Sequence, residues 1–253
     1  MTEVLLEVAD GIASITLNAA ERRNAFTPEM VGELIAACDE IDRDDSVGAV
    51  VIKANGDSFC SGAHRSVLAA AGRDPAADAN YRALGVMYNG FVRVGALLPP
   101  TVAAVRGHCV GAGVNLMLAT DVRVMAVGAR VITGFLRIGI HPGGGHFTLL
   151  GRLAGREAAA AMSLFGEEID GRRAAEIGLA WSALPADEVE PRAMELARRV
   201  AKDPDLARAA ARSLRLELGP PSIPWPAALE AEKAVQMWSL RRQSGDVKTG
   251  SAQ

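Results

Sequence analysis

The stretch Ala49-Val50-Val51-Ile52-Lys53-Ala54-Asn55-Gly56-Asp57-Ser58-Phe59-Cys60-Ser61-Gly62-Ala63 decides the fold of this 253-residue chain. Residues 49–52 are apolar throughout, as in a strand of a parallel sheet covered on both faces. Turn-forming and small residues follow, and a helix is predicted after them. The same build recurs downstream, where the strand 101–105 runs into Gly107-His108-Cys109-Val110-Gly111-Ala112-Gly113 and then a helix over 114–119. A strand-to-helix turn leaves the first helical N–H groups without intrahelical acceptors, so it offers donors to a negative or polarised oxygen. Small residues at Gly62, Ala63, Gly111, Ala112 and Gly113 let such an oxygen come within hydrogen-bond reach of the backbone. Taken singly, each turn is a tight connection in an α/β fold. As a pair they can form a two-donor oxyanion hole, which points to carbonyl chemistry.

Phosphate-binding readings fail on spacing. Neither turn carries the glycine pattern of a dinucleotide fingerprint, the first strand lacks an acidic residue at the required distance, and no Gly-Lys-Ser or Gly-Lys-Thr occurs.

Working outward, residues 4–8 and 13–17 read as two short strands joined at Asp10-Gly11, a hairpin signal. Thr27 is placed to cap a helix whose first position is Pro28. The apolar residues Met30, Val31, Leu34, Ile35, Cys38 and Ile41 then fall on one helical face. The result is a strand–strand–helix unit, and a similar unit recurs from Thr101 through the helix at 114–119 to the strand 122–126. Residues 65–79 are polar and Ala/Gly-rich with Asp74-Pro75 inside, and read as a loop over a substrate pocket. Tyr81 and Tyr88 lie on the helix that follows. Helices are expected over 154–164 and 171–177, and after Leu184-Pro185 over 189–202, 204–217 and 227–241, with a Pro-rich break at 219–226.

A net charge of −3 gives no basic surface for nucleic acid. No signal peptide and no apolar run long enough to span a bilayer is seen, so a cytoplasmic protein without membrane partners is expected. Cys38, Cys60 and Cys109 form no paired spacing and read as free thiols; neither Cys60 nor Ser61 sits in a nucleophile elbow. The four histidines and the cysteines show no metal-ligand spacing, so no metal is expected.

The segments Phe59–Ala63 and Val105–Gly113 with Asp121 behind them, Gly139–Gly145 containing Pro142, Arg23-Asn24-Ala25, and Gly178-Leu179-Ala180 together resemble the enoyl-CoA hydratase/isomerase family, the crotonases. They follow the family's order and spacing over residues 3–240. The resemblance implies an α/β fold: a crotonase-like spiral of strand–strand–helix repeats (residues 1–190) with a helical C-terminal trimerisation region (191–253). It implies homotrimers or hexamers, for which Trp225 and Trp238 are candidate interface anchors. It also implies an acyl-CoA thioester substrate whose carbonyl oxygen sits between the N–H groups of Ala63 and Ala112, with no cofactor besides the coenzyme A carried by the substrate.

Two departures matter. The family's hydratases use two glutamates to hold and activate water; here Asn115 and Phe135 stand at those positions. Asn115 can orient a water or a substrate oxygen, while Phe135 can only pack. Losing both carboxylates removes acid–base assistance worth about a hundred- to ten-thousand-fold. Histidine is the side chain that titrates in the working range. His64 follows Ala63 in place of the family's usual aspartate, and His141 and His146 flank the Pro142–Gly145 loop. His146, at the start of the next helix near Gly143, is the first choice for moving a proton; His108 reads as shaping its turn and Asp121 as a structural carboxylate. The resemblance implies a closing Phe- and Lys/Arg-containing tail that does not follow Gly250 here, so the expectation is either lower CoA affinity or CoA binding that relies more on Arg23 and Arg65. Ala25, His64, Ser66, Phe135 and Gly143 complete the expected substrate-binding set.

Three functions fit this reading. The first is an enoyl-CoA hydratase-like lyase or isomerase, or a CoA-ester decarboxylase of the same fold, which needs the oxyanion hole but no water-activating pair. The second is a non-catalytic acyl-CoA-binding protein. The third, a serine peptidase sharing the spiral, lacks its serine motif.

Overall fold

The computed structural model describes residues 2–73 and 78–219. Strands β1 (Val4–Ala9) and β2 (Ile12–Leu17) form the expected antiparallel hairpin, with Asp10 and Gly11 both at positive φ, 52° and 74°. Helix α1 (Pro28–Arg43) starts where the Thr27 hydroxyl accepts from the Met30 N–H at 3.1 Å, and it buries Met30, Val31, Leu34, Cys38 and Ile41. Strand β3 (Ala49–Ala54) then returns parallel to β2, pairing Ile15 with Ile52 in the fully buried core.

The segments after β3 and after its downstream counterpart are more than turns. Each contains a three-residue strand: β4 (Ser58–Cys60) follows β3, and β6 (His108–Val110) follows β5 (Thr101–Val105). Phe59, Cys60 and Cys109 are buried, and buried backbone must pair, so these short runs hydrogen-bond into a sheet of their own. With β7 (Val122–Ala126), β8 (Arg130–Ile132), β9 (Ile169–Asp170) and β10 (Ser182–Leu184), the strands form two sheets, ordered β1-β2-β3-β5-β7-β10 and β4-β6-β8-β9. Beyond the β1–β2 hairpin, each turn of the spiral gives one strand to each sheet.

Residues 65–79 do not form a loop throughout. The run Arg-Ser-Val-Leu-Ala-Ala-Ala-Gly-Arg is rich in helix formers and makes α2 (Arg65–Arg73), followed by α3 (Asp78–Gly95); Asp74-Pro75 lies outside the described residues. Helix α4 is Ala112–Leu118; α5 (His146–Leu164) consists of two helical segments that meet at a kink at Gly155, whose φ of 81° and ψ of 168° are non-helical, and the second segment is where the helix over 154–164 is expected. Helix α6 (Gly171–Glu176) is capped by Asp170, and Gly178, at φ 76°, follows just beyond its end.

A boundary at 190/191 falls inside α7 (Val189–Val200), whose buried Val189, Ala193 and Ala197 pack on β3, β5 and β7. Helix α8 (Pro204–Leu218) is tied to the same core: the Arg208 guanidinium donates to the carbonyls of Val47 at 2.9 Å and Ile41 at 3.1 Å, and Arg215 pairs with Asp121. The described part of the C-terminal region is therefore a layer of the core rather than an appendage. The helix expected over 227–241, with Trp225 and Trp238, lies outside the described residues.

Candidate active site

The Arg23-Asn24-Ala25 segment builds the first wall. Arg23 and Asn24 adopt positive φ (57° and 52°), and the buried Asn24 amide accepts from Ala19 N–H at 2.8 Å while donating to the carbonyls of Asn55 and Ser58 at 2.9 Å. This clamps the segment beside β4. Ser61 N–H donates to Arg23 O, Phe26 N–H to Gly62 O, and His64 N–H to Phe26 O, so the chain on both sides of Ala63 is pinned. Among the described residues, the Ala63 N–H itself makes no such bond.

The second turn is pressed against the first. A side chain at Gly113 would overlap the Cys60 carbonyl, and Gly62, at φ 90°, would place a Cβ 2.7 Å from Val110 O and 3.3 Å from Ala112 N, so both positions require glycine. Gly111 N–H is taken by Ile132 O at 3.0 Å, but Ala112, the first residue of α4, has an N–H with no acceptor among the described residues. Ala63 and Ala112 line one cavity of about 400 Å³. Its walls are mainly apolar: Leu84, Met87 and Phe91 from α3, Val110, Phe135 and Ile138. Asn115, Tyr88, His141 and Gly143 add polar groups.

Asn115 and Phe135 are both held against His146. Asn115 is buried; its Nδ2 donates to Gly143 O at 3.0 Å, which leaves Oδ1 to accept from His146 Nδ1 at 2.7 Å. The Phe135 ring meets the His146 ring edge-on at 4.9 Å. His146 does open helix α5, as expected, but it is 1% exposed and is not among the cavity-lining residues. Burial pushes its imidazole down to about 4, so it is neutral at neutral pH. The expectation that His146 reaches the reacting atoms is thereby corrected: it stands behind the wall and holds Asn115.

The other expected residues divide. Ala63, Ala112, Asn115, Phe135 and Gly143 are brought together in the cavity. Arg23, His64, Arg65 and Ser66 flank the first turn, with His64 Nδ1 2.7 Å from Ser66 Oγ; Ser66 lines a neighbouring cavity of about 330 Å³ that shares Leu84. Ala25 is buried, and its carbonyl accepts from Arg22 Nε at 3.2 Å, so it presents little to a ligand. Burial pushes the Cys60 thiol up to about 12, which makes it inert as a nucleophile. Tyr81 side-chain placement lies outside what is described. Sequence reading left out Leu84, Met87 and Phe91, although their spacing with Tyr88 is that of one helical face.

The sequence model of the family described as Enoyl-CoA hydratase/isomerase matches residues 7–247. The "Probable enoyl-CoA hydratase" of Mycobacterium tuberculosis is 40% identical over 221 residues, 87% of this chain and 84% of that protein. The 1,2-epoxyphenylacetyl-CoA isomerase of Escherichia coli is 32% identical over 205 residues, 81% of this chain and 78% of that protein. The solved enoyl-CoA hydratase of Bacillus anthracis superposes with a TM-score of 0.83 at 25% identity, covering 93% of this chain and 90% of that one. The fold, the paired turns and these likenesses agree: the chain belongs to the enoyl-CoA hydratase/isomerase family, whose members act on acyl-CoA thioesters.

Proposed function

We propose that this protein binds an acyl-CoA thioester with the carbonyl oxygen between the N–H groups of Ala63 and Ala112 and stabilises the enolate that forms when the α-carbon gains or loses a group. The observation that carries the reading is the pair of unengaged amides, from two abutting turns, lining one apolar cavity. An oxyanion donor of this kind is worth roughly a hundred- to a thousand-fold in rate. Coenzyme A enters as part of the substrate, and the apolar wall suits a hydrocarbon or aromatic acyl group.

The reaction follows from which groups are missing. Asn115 is held by Gly143 O through Nδ2 and by His146 through Oδ1 and cannot ionise near neutral pH, and Phe135 offers no proton chemistry. Activation of water by two carboxylates is therefore not available, which favours isomerisation or decarboxylation over hydration. The likeness to 1,2-epoxyphenylacetyl-CoA isomerase is consistent with a reaction other than water addition.

The test is direct. Acetoacetyl-CoA bound in an oxyanion hole shows an ultraviolet enolate band, which the wild-type protein is expected to give. Ala112→Val, which crowds the oxygen, should weaken that band and lower turnover by about a hundred-fold or more. Absence of the band with CoA binding intact rejects the oxyanion reading. Turnover is sought on crotonyl-CoA, longer enoyl-CoAs and malonyl-type CoA esters.

The same commitment of Asn115 also favours a second reading, a non-catalytic acyl-CoA-binding protein. Calorimetric titration with a saturated acyl-CoA, alongside a product search by mass spectrometry, separates the two: tight binding without product across the thioester panel supports the binder, and any product supports the enzyme.

A further inference from the structure

The cavity holds several hydrogen-bonding side chains, and nearly all are already spent. Thr133 donates its hydroxyl proton to Met162 O at 2.6 Å, Ser61 Oγ lies 3.4 Å from Arg22 O, Arg137 pairs with Glu168 at 2.8 Å, and Asn115 is fixed by Gly143 and His146. His141 is exposed and turns Nδ1 to the carbonyl of Pro142 at 2.7 Å. Tyr88 differs. Its phenol lies against the Gly143-Gly144 backbone, where a side chain on Gly143 would overlap the hydroxyl, and its ring is braced by Phe91 at a centroid distance of 5.9 Å. Among the described residues, no hydrogen-bond partner takes the phenolic proton, and the hydroxyl faces the Gly143-Gly144 backbone. Tyr88 therefore lines the cavity with a braced O–H whose hydrogen is uncommitted.

We propose, resting on the enolate reading above, that Tyr88 is the catalytic acid that hands a proton to the substrate α-carbon. The enolate electron pair forms the new C–H bond, the carbon–oxygen bond returns to a thioester carbonyl, and the O–H pair stays on the phenolate oxygen. That phenolate recovers its proton from water entering the cavity. Burial raises the phenol above its ordinary value of 10 while the Gly144 N–H acts in the opposite direction, so the group is fully protonated at neutral pH, as an acid must be. Gly143 and Gly144 are required here because they allow the hydroxyl to reach the loop: a Cβ on Gly144 would overlap Phe91 and come 3.0 Å from Asn115 Nδ2.

The experiment uses phenylacetyl-CoA, whose benzylic α-hydrogens are acidified by the ring, in mildly alkaline D2O, with deuterium uptake followed by mass spectrometry. By microscopic reversibility the group that returns the proton also removes it. Wild-type protein is expected to exchange faster than the buffer, and Tyr88→Phe to lose about a hundred-fold or more of that rate. The variant should retain the acetoacetyl-CoA enolate band, the affinity for phenylacetyl-CoA and the thermal midpoint, because the ring still packs on Phe91. A structural role alone would move the last three. Exchange by Tyr88→Phe at the wild-type rate overturns the proposal, as does an enolate band in the wild type without exchange. Loss of exchange in His141→Gln with Tyr88→Phe unaffected also overturns it, routing the proton through His141. A wild-type protein without the band removes the enolate reading itself, and the proposal with it.

Discussion

Asn115 and His146 show how one buried residue dictates its neighbours. A carboxylate at position 115 would charge the cavity; an amide there has to be oriented, and the buried imidazole does that by giving its Nδ1 hydrogen to Oδ1. The cost appears in acid. Unfolded, the ring titrates near its ordinary 6.5, and folded it titrates at about 4, so between those values the unfolded chain binds more protons. The contribution of the neutral ring to stability is complete above about 6.5 and is lost as pH falls through about 4, by up to roughly 3 kcal/mol. His146→Gln keeps a donor for Asn115 and removes the titration. Urea denaturation across this window is expected to show a flatter loss of stability for the variant than for the wild type; equal slopes would mean that His146 is not buried neutral. That His146 opens a helix is readable from its place after three glycines, but its burial behind Phe135 is not, because nothing local distinguishes a histidine facing a cavity from one facing its back wall.

Among the elements, the far end of α8 is anchored in part by one carboxylate. Asp121, after α4, accepts from the N–H and hydroxyl of Thr101 at 2.8 and 2.9 Å, and pairs with Arg215 of α8 at 3.0 Å through Nε. Arg215 also donates to Pro99 O at 3.1 Å. One side chain thus fixes the start of β5, the end of α4 and the far end of α8. Asp121→Ala leaves a half-buried guanidinium and a buried N–H without their partner, and is expected to destabilise the fold by about 2–4 kcal/mol, read as a lower urea midpoint. Unchanged stability would show that the pair is solvated. The sequence marked Asp121 as structural; it could not name Arg215, 94 residues away, as the partner. Helix α3 is the opposite case. The spacing of Leu84, Met87, Tyr88 and Phe91 already describes one face, and only the identity of the cavity that face closes required the fold.

At the scale of the whole molecule, large apolar side chains remain exposed on the described surface, including Phe165 at 85% and Trp181 at 69%. Such groups mark contact surfaces when they occur together; Leu136, Ile138 and Phe147 are exposed as well, and Ile138 lines the cavity. A homotrimer or hexamer is the expected state, and light scattering after gel filtration should give three or six times the 26.5 kDa chain mass. A monomer at micromolar concentration would refute it. Among the described residues no helix is long and apolar enough to cross a membrane, and no group of histidine, cysteine, aspartate or glutamate is arranged to hold a metal. By itself, the sequence determined the repeating strand–strand–helix order, the hairpin at Asp10-Gly11, the Thr27 cap and the two small-residue turns, because apolar periodicity, capping and glycine are properties of neighbouring residues. Only the tertiary structure decided that each turn contributes a strand to a second sheet, that α7 belongs to the core, that His146 is shut behind Phe135, and that Tyr88 meets Gly143 and Gly144. Those facts depend on which distant segments are pressed together, and packing between segments is not written in the spacing of either one.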